Sequence, residues 1–225
     1  MGGQACGFYG AAEFSRDADF ALLAEADNLA RLRGALEELQ AETIAVPPFD
    51  VAYLRKGHAV HFRCRHPDAA GMRVDIMSVM RGVEEFPVLW SRRCTVEVSP
   101  GDQYEIMSLR DLVQAKKTQR DKDWPMIRRL IEADYASRRE VPEMGDVRLW
   151  FMEARTPELL IELAARYPDI LREVRAQRSL LMLLPQASER EIDHLLAEEQ
   201  TREREIDRAY WQPLRAELAS LRHPR

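Results

Sequence analysis

From residue 17 to residue 107 the apolar positions come in short runs broken by glycine and proline, with one strong helical stretch among them. That alternation predicts an α/β arrangement. Strands are expected at 17–23, 43–46, 59–65, 72–79, 94–98 and 103–107, and a helix at 28–40 with Asp27 as its N-cap. Leu29, Leu32, Leu36 and Leu39 recur at helical spacing and form its buried stripe.

From Ser108 onward the pattern is helical almost throughout. Ser108 and Asp111 stand at capping-box spacing and open a helix ending near Thr118; Pro125 suits the first turn of the next, which reaches about Tyr135. Pro142 and Gly145 in a polar setting mark 139–145 as a linker, with a helical region at 146–225. There Thr156-Pro157 reads as N-cap and first helical residue, and Ser188 with Glu191 as a capping box. In the last helix the sequence EREID at 189–193 recurs at 203–207, an offset of two heptads that gives Ile192 and Ile206 one heptad position. Tyr210, Leu214, Leu218 and Leu221 continue the stripe past Pro213, a candidate kink. Such a helix either packs on its own domain or docks on a second copy or a partner protein.

The strand pattern also sorts the chemistry. Side chains alternate along a strand, so Asp17 and Asp19 project from one face while Ala18 and Phe20 enter the core. Adjacent carboxylates repel, and a divalent cation is the usual partner that stabilises both as anions; their hard oxygens suit Mg²⁺ or Mn²⁺ shared with substrate phosphates. A hairpin that aligns Val60, Phe62 and Cys64 with Val74 and Ile76 puts His61 and Arg63 on the face of Asp75.

Hydrophobic residues at 46% and charged residues at 32% place the chain among folded proteins rather than disordered ones. The net charge of -5 disfavours a general nucleic-acid coat protein, while leaving room for a local basic patch. Three widely spaced cysteines and no leader-like segment predict a reducing cytoplasm without disulfides. The longest apolar run, Leu180 to Leu184, falls well short of the ~20 residues that a spanning helix needs, so no membrane association is expected. A zinc site from His58, His61, Cys64 and His66 is disfavoured, because alternation sends His61 and Cys64 to opposite faces and no CxxC-like spacing supplies further ligands.

Gly2-Gly3, thirteen residues, Asp17-Ala18-Asp19, and then Asp75 within Arg73-Val74-Asp75-Ile76-Met77 form a spacing that resembles the nucleotidyltransferase superfamily signature. Asp111 to Lys116, followed by Arg120-Asp121-Lys122-Asp123, resembles the lysine and Arg-x-Lys-Asp element of its minimal and abortive-infection-type members. The resemblance covers about residues 1 to 138 and implies a mixed-sheet, polymerase-beta-like catalytic domain followed by helices. It also implies that Gly2, Gly3 and Ser15 approach the triphosphate of an NTP, that Asp17, Asp19 and Asp75 bind metal, and that Lys116 and Lys122 bind the nucleotide, with Arg120 a weaker member. By helical phase Lys116 shares the stripe of Leu109 and Leu112, whereas Lys117 is rotated about 100° toward water. The family's strand ahead of the Gly-Gly turn has no counterpart before Gly2, and the expectation is a start at an internal methionine. The implied activity is Mg²⁺-dependent transfer of a nucleoside monophosphate to a hydroxyl on a small molecule, protein or RNA end. The competing expectation is a non-catalytic module of the same fold, or a toxin-antitoxin component acting through its C-terminal helices.

Overall fold

The computed structural model describes residues 1–11, 17–184 and 186–223. Chain order is α1 (Gly2–Phe8), β1 (Asp17–Ala21), α2 (Ala26–Glu38), β2 (Glu42–Thr43), α3 (Val51–Lys56), β3 (Val60–Arg63), β4 (Arg73–Met77), α4 (Phe86–Arg92), β5 (Cys94–Ser99) and β6 (Asp102–Ile106). Helices follow: α5 (Leu109–Lys116), α6 (Asp123–Arg138), α7 (Met144–Glu153), α8 (Pro157–Arg166), α9 (Pro168–Val174), α10 (Ser179–Leu183) and α11 (Glu189–Arg222). The class is α/β with a helical C-terminal region. No described helix is long and apolar enough to cross a membrane. Two compact units result, Met1–Ala115 with Ala209–Arg225, and Lys116–Arg208. That division differs from the expected 1–138 and 146–225, and residues 139–145 join α6 to α7 inside the second unit.

In the first unit a mixed sheet runs in the order β1-β4-β3-β2, with β1 parallel to β4 and the other pairs antiparallel. Its apolar face, carrying Ala18, Val60, Phe62, Cys64, Val74 and Ile76, is buried with Leu29 and Leu36 of α2 and Leu54 of α3. Alternation in β3 and β4 produces this face directly. Phe20 departs from expectation: it lies opposite the buried Ile76 yet is 51% exposed, because β1 is the edge strand among the described residues. Asp27 also departs, falling inside α2 while Glu25 takes the N-cap. β2 is shorter than 43–46, and the prolines at 47 and 48 offer no N–H to prolong a ladder.

Gly57 ends α3 in the left-handed conformation, and a Cβ there would come within 2.7 Å of the Tyr210 hydroxyl. Beside it, Glu217 pairs with Lys56 at 2.5 Å and with the buried His58 at 2.8 Å, so the end of α11 packs against α3. The two heptad-related isoleucines have different fates, Ile192 being fully buried and Ile206 49% exposed. The Ser188–Glu191 capping box forms in full, whereas at Ser108 the hydroxyl accepts from the Asp111 N–H and donates to the Asp111 carboxylate, with no return bond from the Ser108 N–H among the described residues.

The second unit packs α6 to α10 and the first part of α11 around Trp150, Phe151, Ile127, Ile131, Leu160, Leu181 and Ile192. Pro157 opens α8 as expected, but the hydroxyl of Thr156 donates to Glu132 at 3.2 Å instead of capping that helix. Lys117 does not face water. It stands one residue past the end of α5, where helical phase no longer governs, and its ammonium lies 2.8 Å from Glu153 with the side chain only 11% exposed. Arg155 lies 3.6 Å from Glu153 and 3.1 Å from Glu199, which also takes the Arg178 guanidinium at 2.7 Å. Arg178 further donates to the carbonyls of Phe151 and Ala154 at the end of α7, satisfying oxygens that the helix leaves unpaired.

Burial pushes the Glu199 carboxyl up, but the bond from Arg178 and the charges of Arg178, Arg155 and Lys117 outweigh it and hold the group below its ordinary value. Its stabilisation is therefore present above about pH 4.5 and fades as pH falls through the lower folded value. Glu199→Gln should cost about 3 kcal/mol at pH 7, since two buried guanidinium groups lose their shared anion. Urea denaturation should find that gap narrowing below pH 4.5; a gap that stays constant with pH would contradict the pairing.

Candidate functional site

The ladder between β1 and β4 sets Asp17 opposite Arg73 and Asp19 opposite Asp75, and the ladder between β4 and β3 sets Asp75 opposite His61 and Arg73 opposite Arg63. Directly opposed residues share a sheet face. Three aspartates, two arginines and a histidine thus gather on the face turned away from the apolar core, including His61 and Arg63 as the hairpin register requires.

Arg73 is the hub of this face. Its Nε donates to Asp75 Oδ1 at 2.8 Å, and its Nη2 lies 3.1 Å from His61 Nδ1, which in turn lies 2.9 Å from the same Asp75 oxygen. One ring nitrogen cannot donate to Asp75 and accept from Arg73 at once, so the tautomer of His61 selects between two hydrogen-bond patterns. The bond to Asp75 raises the Arg73 guanidinium above its usual range, burial opposes this, and the charges of Asp75, Asp17 and Asp19 all add to the rise. Three carboxylates therefore act on one cation. Burial pushes the Asp75 carboxyl up, but bonds and charge from His61 and Arg73 prevail and hold it below the ordinary carboxylate range.

Gly2 and Gly3 do not make a free turn; they begin α1. Gly2 has φ near +70°, and a Cβ on it would fall 1.8 Å from Asp19 Oδ2. The backbone of α1 approaches this carboxylate so closely that only glycine fits. The amino nitrogen of Met1 also donates to the Asp19 carbonyl at 2.7 Å. Ser15 lies outside the described residues.

Lys116 and Lys122 belong to the second unit. Lys116 lies 3.3 Å from Asp123, a carboxylate only 3% exposed that also accepts from Thr118 at 2.6 Å and from Arg120 at 2.7 Å. The Arg-x-Lys-Asp element thus closes the turn between α5 and α6, while Lys122 is exposed at the N-cap of α6. Elsewhere, Cys64 is buried in the core and His58 is paired with Glu217.

Among the described residues no group of three or more His, Cys, Asp or Glu side chains is arranged to hold a metal ion by itself. The donor set on the strand face still fits Mg²⁺ chemically, because that ion takes one or two carboxylates and completes its shell from phosphates and water. Arg73→Gln should raise the titration midpoint of Asp75, since burial then acts with less opposition. Carbon-detected NMR titration of the Asp75 carboxyl tests this, and an unchanged midpoint would contradict the assignment of Arg73 as its counterion.

In comparison with known proteins, no family model matches the chain and no curated protein is significantly similar to it.

Proposed function

We propose that the strand face bearing Asp17, Asp19 and Asp75 binds an NTP with a divalent cation and transfers its nucleoside monophosphate to a hydroxyl acceptor. One observation carries the reading: the β1–β4 register sets Asp17 opposite Arg73 and Asp19 opposite Asp75, so three carboxylates share one strand face with a guanidinium that Asp75 binds. The approach of Gly2 to Asp19 supports it, because backbone packed against that carboxylate fixes its position on the strand face.

In this proposal Asp17, Asp19 and Asp75 supply carboxylates for Mg²⁺ or Mn²⁺, one or two to an ion, with phosphate and water completing its shell. A cation bound there would supply charge neutralisation for the triphosphate and the departing oxygens. Arg73 is 38% exposed, enough to meet a phosphate oxygen while keeping its bond to Asp75. Asp75, held in its charged form, is a poor proton store and a strong hydrogen-bond acceptor, so its part is to orient the attacking hydroxyl. That oxygen forms a bond to the α-phosphorus, the bond to the bridging oxygen breaks toward pyrophosphate, and the hydroxyl proton passes to solvent.

Transfer of label from an α-³²P NTP to protein or RNA should fall about a hundredfold or more in Asp75→Asn, the scale expected when a group that manages transition-state charge is lost. Thermal melting should show the variant still folded. Full activity in the folded variant would remove Asp75 from the mechanism.

A further inference from the structure

Phe8 and Tyr104 are 43% and 51% exposed, and their rings stack with centroids 6.2 Å apart and planes 29° from parallel. Neither ring serves a core. Tyr104 stands on the β5–β6 hairpin, whose residues are exposed at most positions of both strands. A two-stranded hairpin gains little stability alone, and this one is tied to α1 by the Tyr9 hydroxyl, which donates to the Met107 carbonyl at 2.8 Å and lies 3.3 Å from Cys94 Sγ.

The other end of α1 is Gly2, whose backbone abuts Asp19. Six residues at 1.5 Å rise place Phe8 about 9 Å along the helix from Gly2, a span comparable to that of a ribose triphosphate. One short helix therefore links the carboxylate face to an open aromatic pair. We infer that Phe8 and Tyr104 form a platform on which the nucleobase of the bound NTP stacks while its phosphates lie toward Asp19. The inference rests on the nucleotide-transfer reading above. Aromatic faces accept any base, so the platform supplies affinity rather than a choice among bases.

Calorimetry on the full chain with Mg²⁺ tests it, using ATP and inorganic tripolyphosphate as probes. The wild type should bind ATP about tenfold more tightly than tripolyphosphate. Phe8→Ala and Tyr104→Ala should each weaken ATP binding about tenfold while leaving tripolyphosphate unchanged, and Tyr104→Trp should retain ATP affinity. Thermal melting confirms that the variants are folded. Wild-type affinity for ATP in a folded Tyr104→Ala overturns the platform and leaves the functional reading standing. If the wild type binds neither probe, the functional reading fails and the platform with it.

Discussion

Like charges on one strand face set the terms for the first unit. Asp19 and Asp75 face each other across the β1–β4 ladder, and Asp17 lies two residues along the same face. Directly opposed like charges destabilise a sheet, and a cation among them relieves the repulsion. Arg73 fills that part, gripped by Asp75 and acted on by the charges of all three carboxylates. Under the proposed function a divalent ion with its triphosphate would enter the same field, beside the Asp75 carboxylate that holds the guanidinium.

The polar face can carry this concentration of charge because the opposite face is given over to packing. Ala18, Val74, Ile76, Val60 and Phe62 are closed off by leucines from α2 and α3. Slipping β1 by one residue against β4 would turn Ala18 outward and force two carboxylates into that core, so register and site are specified by the same alternation. On the charged side, α1 meets the Asp19 carboxylate where Gly2 lacks a side chain.

The strands and the site face were legible in the sequence because period-two alternation reports burial directly. It located β1 to β6 within a few residues and put His61 and Arg63 beside Asp75. It failed where local pattern does not report context. Phe20 has the parity of a core residue but belongs to an edge strand. Lys117 follows the helical phase of α5 on paper, yet the helix stops at Lys116 and the next side chain turns to Glu153. α3 has no counterpart in the hydrophobic pattern although Asp50 caps it and Gly57 ends it, since six residues carry too little periodicity to stand out. The gathering of Arg155, Arg178 and Glu199 joins residues far apart in the chain, and no spacing announces it. The pairing of Lys116 and Arg120 with the buried Asp123 is likewise a feature of the fold that their spacing as ligand groups does not report.

The proposed function requires that the carboxylate face admit a cation together with a nucleotide. Calorimetric titration of an NTP into the chain, in Mg²⁺ and then in EDTA, measures this directly. Binding in Mg²⁺ should be lost in EDTA and weakened in Asp17→Asn and Asp19→Asn. Equal affinity with and without the metal, or undiminished binding in both variants, would contradict it.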